Sequence, residues 1–297
     1  MSDETATVQD SDGGIRRSGL DATPHEPPAG HPLEHAEEWF DVREFARTAR
    51  GSHRDALDLA PFEQGLEPDA ARLLRALRDL ERTTMQRMRN LLVTATHKDA
   101  RVTAFLTTWA YEKFWLADAL TAVLDASGAE QDLPATDGPR RHDPAERADR
   151  RGPIRRAFLS NLPGADIVGA HVSAGLVDEW ITSAAYRRLA AAAQSLGAVV
   201  ELAQEIKDRH LTFLAEEARR RLAGSERVQR FTRAELRRQA WPIGAIERSA
   251  DERSFFERIV FGGPEGRRDA TAIGRLVAEL PGIGSPVGRA VESRLVP

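Results

Sequence analysis

Four ionisable residues stand where a helical protein would place apolar ones. Glu81 lies four residues after Leu77, four before Met85 and seven before Met88. Glu112 lies three after Trp109 and four before Leu116, and Glu179 lies three after Leu176 and four before Ser183. His210 lies four after Ile206 and three before Phe213, with Lys207 at the edge of the same face. Residues three and four apart share one face of a helix, so Glu81, Glu112, Glu179 and His210 are expected to point inward. Three carboxylates at one level of a core repel, and each costs several kcal/mol if left unpaired. They must share protons, pair with cations or bind a metal. Carboxylate plus imidazole suits one hard or borderline ion such as Fe, Mn or Zn. Alternatively, the Lys207 ammonium takes the metal's place and the set becomes a buried charge network.

The helices that must carry these groups are legible from period and caps. A first long helix opens at Pro68, a residue suited to a first helical position, and runs to about Thr94 with Leu74, Leu77, Met85, Met88 and Leu92 in phase. Thr96 and Asp99 have the spacing of a capping box for a second helix, 97–126, apolar on most sides and therefore deep in the core. The short turn between them forces an antiparallel hairpin. A third helix, 166–194, and a fourth, 198–223 with Gly224 as its C-cap, form a second hairpin around Ser195-Leu196-Gly197. The expected architecture is all-α: an antiparallel four-helix bundle over 66–224 with short helical N- and C-terminal extensions. A tail without fixed structure is expected over 1–32, a short helix and connection over 33–65, and a long crossover linker over 127–164. The linker's Arg150, Arg151, Arg155 and Arg156 have the charge to bind an anion, but a solvated run is the simpler reading. In the 225–297 segment, Thr232/Glu235 and Ser249/Glu252 have capping-box spacing, and a last short helix is expected over 269–279. This segment is expected to cover the bundle mouth or to form the contact of a homodimer.

Heights along the helices agree with convergence. Glu81 and Glu112 each lie about 15 to 16 residues from the first turn, and Glu179 and His210 about 14 to 17 from the second, which at 1.5 Å per residue sets them nearly level. The layout resembles the ferritin-like superfamily, and within it the acyl-carrier-protein desaturases and related di-iron proteins. That pattern has one Glu from each of two helices and a Glu-x-x-His from each of the other two. Glu81 and Glu179 match the lone Glu positions. The second helix reads Glu112-Lys113-Phe114-Trp115, with Trp115 at the His position, and the fourth reads Lys207-Asp208-Arg209-His210, with Lys207 at the Glu position. Glu205 and Asp208 lie on other faces and do not complete the set. The resemblance implies Fe or Mn, one ion or two, held by Glu81, Glu112, Glu179 and His210, with oxidoreductase chemistry on oxygen or peroxide and Tyr186 or Tyr111 as redox neighbours. The other outcome is a relative that has lost its metal and serves in binding or structure.

Composition narrows the rest. Lys plus Arg is 42 against 46 Asp plus Glu, for a net charge of −4, which gives no basis for a nucleic-acid surface. Zero Cys excludes disulfides and thiolate chemistry and fits a cytoplasmic setting. No apolar run is long enough for a membrane span, and the acidic N-terminus does not read as a signal peptide. Gly-rich phosphate loops, a Gly-x-Ser-x-Gly elbow and His-Glu-x-x-His are all missing from the sequence. Leu280-Pro281-Gly282-Ile283-Gly284-Ser285 resembles the Gly-Ile-Gly-Ser core of peptides that load ferritin-like cargo into encapsulin shells, although twelve residues follow it here. A Pro/Gly turn after a helix is the simpler reading of that stretch.

Overall fold

The computed structural model describes residues 39–129, 164–245 and 248–297, which are all-helical with no strand. The expected tail over 1–32 and the linker's arginine run lie outside the described residues. After a short helix α1 (Val42–Arg47), α2 (Pro68–Leu92) starts with its proline in the first turn, as its missing N–H allows, and buries Leu73, Leu74, Leu77, Leu80 and Glu81. The chain then makes a 3-10 turn, Ala95–Lys98, before α3 (Ala100–Ala126).

The Thr96/Asp99 capping box does not form. Asp99 is the N-cap of α3, its carboxylate accepting from the Val102 N–H at 2.9 Å. Thr96 is fully buried, and its hydroxyl is taken by Thr94 Oγ1 (3.0 Å) and His171 Nδ1 (2.9 Å), so it is not free to cap. Beyond the linker, α4 (Ile167–Ala192) and α5 (Gly197–Gly224) form the second hairpin around the turn Gln194–Leu196.

α2 packs along α3 and α4 along α5; α2 also touches α4, and α3 touches α5. Leu74, Leu77, Phe105, Trp109, Leu116, Leu176, Ile206 and Phe213 meet in the common core. α1 lies on α3.

Past Gly224 the chain re-enters a helix at once, because the Ser225 hydroxyl caps α6 (Glu226–Arg238) by accepting from Val228 N–H at 3.3 Å. Thr232 therefore sits in the middle of α6, fully buried, and not at a helix start. The Ser249/Glu252 capping box is present at α7 (Ala250–Phe261). α8 (Pro264–Glu279) begins five residues before the expected 269, at a proline that follows Gly263. A further helix, α9 (Ser285–Glu292), follows the one expected to be the last. The Leu280–Ser285 stretch is the tight turn between α8 and α9: Gly282 and Gly284 have φ of 70° and 80°, and Leu280 and Ile283 are buried.

α6 runs along α4, and α8 packs on both α4 and α9. The α8–α9 approach depends on glycine, since a Cβ on Gly288 would come within 2.2 Å of the Gly274 carbonyl oxygen. Gly288→Ala is expected to lower stability by about 1–3 kcal/mol despite alanine's better helix propensity, because the neighbour is backbone and the helices must part. Urea unfolding checks this, and an unchanged or higher midpoint would contradict it.

Candidate functional site

The structure brings Glu81, Glu112, Glu179 and His210 to one level between the hairpins, each no more than 1% exposed. Two ammonium groups lie among them. Lys113 Nζ on α3 donates to Glu81 Oε2 at 2.7 Å and stands 2.9 Å from Glu179 Oε1. Lys207 Nζ on α5 donates to Glu179 Oε2 at 2.5 Å and Thr182 Oγ1 at 2.7 Å, and lies 3.5 Å from Glu81 Oε1. Each lysine thus bridges the same two carboxylates. Trp109 Nε1 donates to Glu179 Oε1 at 2.9 Å, and the Tyr186 hydroxyl to Glu81 Oε1 at 3.2 Å.

Glu112 looks the other way. Its Oε2 lies 2.9 Å from His210 Nε2, while its Oε1 accepts from the Arg50 backbone N–H at 2.8 Å and lies 3.2 Å from the Arg209 guanidinium. Every oxygen of the three carboxylates therefore has an N–H or O–H partner. Three carboxylates face the three cations Lys113, Lys207 and Arg209, so the formal charge closes with a neutral His210. In that state Nε2–H donates to Glu112, and Nδ1 carries a lone pair with no hydrogen-bond partner among the described residues, 3.9 Å from Glu179 Oε1.

The electrostatics follow from geometry. Burial alone would raise the Glu81 and Glu179 carboxyls, but the Lys113 and Lys207 ammoniums reverse this, holding Glu81 below and Glu179 well below the usual carboxylate range. Burial opposes charge on Lys113 too, yet Glu179 and Glu81 outweigh it and raise its pKa. Burial, reinforced by Glu81, pushes the Tyr186 phenol well up. Burial lowers the His210 imidazole, more than the Glu112 contact raises it.

A strap closes the Glu112 end. Residues 39–50 carry Phe40 and Phe45 onto Phe105 and Phe213, and the Phe45 ring meets His210 edge-on at 6.0 Å. The Arg209 guanidinium donates to the Phe45 and Thr48 carbonyls, and Arg50 pairs with Glu205 on the surface. The spacing of the sequence indicated a short helix here, but not that its following loop would supply a backbone donor to Glu112.

Lys113 was missed as a site residue, although a signal existed. It lies four after Trp109 and three before Leu116, the same inward spacing that marks Glu112. Lys207, placed by spacing at a face edge, is fully buried. Of the two tyrosines, Tyr186 is in the site, whereas Tyr111, two residues after inward Trp109, is 45% exposed on the opposite face. Trp109, a packing residue on sequence grounds, also donates a hydrogen bond.

Among the described residues no group of three or more His, Asp and Glu side chains is arranged to hold a metal ion. No protein-family model, curated protein or solved structure matches the chain. The class rests on fold and site: an all-helical protein with a closed cluster of paired charges between two hairpins, and no helix among the described residues long and apolar enough to cross a membrane.

Proposed function

We propose that this chain is a ferritin-like four-helix bundle in which two lysines have taken the place of metal, and that it works as a metal-independent binding or structural protein. The observation that carries this reading is the bridging of Glu81 and Glu179 by both Lys113 and Lys207. A divalent ion seated between those carboxylates would have to displace at least one ammonium and would face the other at contact distance. Trp115 and Lys207 at the expected His and Glu positions remove two further donors. A two-metal centre therefore does not fit this donor set, and no redox step is assigned to it.

One observation favours a second reading. His210 Nδ1, without a hydrogen-bond partner among the described residues and 3.9 Å from Glu179 Oε1, is the kind of lone pair a single Fe or Mn ion would use. Metal analysis of protein reconstituted with ferrous iron and manganese separates the two. The expected result is substoichiometric metal and a melting temperature that neither added ion nor chelator moves, since a ligand bound only by the native state must raise stability. Stoichiometric metal that stabilises the protein and is lost in Glu112→Ala would overturn the metal-independent reading.

A further inference from the structure

Between Arg101 and Asp118, α3 presents no charge to solvent, in a chain with 30% charged residues. Glu112 and Lys113, the charged residues in that interval, both point into the core cluster. The outward residues are Ala104, Thr107, Tyr111 and Phe114, flanked by half-buried Thr103 and Trp115. Phe114 is 52% exposed, and both Phe114 and Tyr111 meet the Trp115 ring edge-on, at 5.2 and 6.3 Å. Two exposed aromatic rings on an uncharged helix stripe are suited to covering by a partner.

The order of the side chains, two small residues followed by two large ones with Arg101 before and Asp118 after, argues for a second copy of the chain as the occupant. Positions 104, 107, 111 and 114 follow intervals of three, four and three, which read the same in both directions. Two copies of α3 laid antiparallel about a two-fold axis at position 109 set Ala104 opposite Phe114 of the other copy, and Thr107 opposite its Tyr111. Each large ring then meets a small residue, and the symmetry repeats every contact. The same operation brings Arg101 of one copy next to Asp118 of the other at both ends. These two side chains already hold internal partners, Glu216 and Arg54, so the ends add complementary potential without stranding a charge. Antiparallel helix dipoles act in the same sense.

We propose that this stripe of α3 is the isologous contact of a two-fold homodimer. The test is sedimentation equilibrium of the full chain. The wild-type chain is expected to sediment as two copies, and Phe114→Glu to weaken association on the order of a hundredfold, the loss typical of an aromatic anchor. Ala104→Lys is expected to weaken it as well. The double variant, which sets the introduced ammonium opposite the introduced carboxylate across the axis, restores the dimer. Both positions are exposed, so the variants keep the wild-type melting behaviour of the isolated subunit. Three results overturn the proposal. One is a chain that stays monomeric at every concentration, whether the stripe is covered by another segment of the same chain or by a different protein. Another is a dimer indifferent to Phe114→Glu. The last is a double variant no better than either single change.

Discussion

Lys207→Met will destabilise the protein by about 3–5 kcal/mol, the range for breaking a buried ion pair from one side. Methionine fills nearly the same volume, so the loss is electrostatic and leaves little cavity. Removing the ammonium strips Glu179 Oε2 of its cation and the Thr182 hydroxyl of its donor, and leaves Glu81 and Glu179 sharing Lys113 alone. The cluster then carries an uncompensated negative charge beyond the reach of water, and one carboxyl must take up a proton for the fold to persist. Urea unfolding measures the loss as a shifted midpoint at constant slope. Because the pair is fully buried, the effect should persist at high salt, unlike that of a surface bridge. A cost below about 1 kcal/mol, the range for exposed pairs, would mean that Lys207 is solvated and the cluster open.

The converse variant is more informative. Lys113→Met and Lys207→Met combined with Glu81→Gln and Glu179→Gln remove all four charges but keep acceptors for Trp109 and Tyr186. Replacing a whole buried ion cluster by neutral groups of similar volume is often neutral, or stabilising by about 1–4 kcal/mol. The quadruple variant should therefore recover most of what Lys207→Met loses. Such a result would show that the network is not retained for stability, and would turn attention to specificity. Paired charges fix the rotation of α2, α3, α4 and α5 about their axes, which apolar packing alone leaves looser.

How much of this was legible in the sequence depended on the range of the forces involved. Inward placement of Glu81, Glu112, Glu179 and His210 followed from helical period alone, because neighbours three and four residues away fix a face. Lys113 obeys the same period, but a Lys beside a Glu on an otherwise apolar helix reads as a pair at a boundary. Its partners come from other helices, Glu81 on α2 at 2.7 Å and Glu179 on α4 at 2.9 Å from Lys113 Nζ, and the spacing within α3 does not show them. Cap positions failed where tertiary contacts competed. Thr96 has capping chemistry, yet His171 from another helix takes its hydroxyl. Thr232 and Glu235 have box spacing, but Ser225 starts α6 seven residues earlier and the box residues are carried into its interior. α9 escaped notice because Gly284 and Pro286 read as turn residues, although glycine before a helix and proline in its first turn are also a helix start.

Acidification from pH 7 to pH 5 should cost stability through His171 before Glu81 or Glu179 titrates. Its Nδ1 lies 2.9 Å from the buried Thr96 hydroxyl, and burial, with the Arg87 guanidinium adding to it, lowers its pKa to about 4. A free imidazole titrates near 6.5, so between those values the unfolded chain binds a proton that the folded chain refuses. The contribution is fully present above pH 6.5 and is lost as pH falls towards 4, up to about 3 kcal/mol over the whole span. His210, lowered by burial, acts in the same direction. Glu81 and Glu179, held below the usual carboxylate range, are lost only at lower pH. Asp178 works oppositely. Its carboxyl is raised by burial in spite of its 2.6 Å bond to Arg87, so protonation relieves a penalty as pH falls. Asp178 and His53, whose imidazole burial lowers, are common to the wild type and His171→Asn, so the difference between the two proteins reports His171. His171→Asn keeps a polar atom near the Nδ1 position for Thr96 and has no proton to gain, so its stability curve should be flatter than the wild type's across that window. Urea midpoints of the two proteins at matched pH provide the comparison. Parallel curves would mean that His171 is hydrated and titrates alike in both states, and the acid slope would then belong to the other buried imidazoles, His210 and His53.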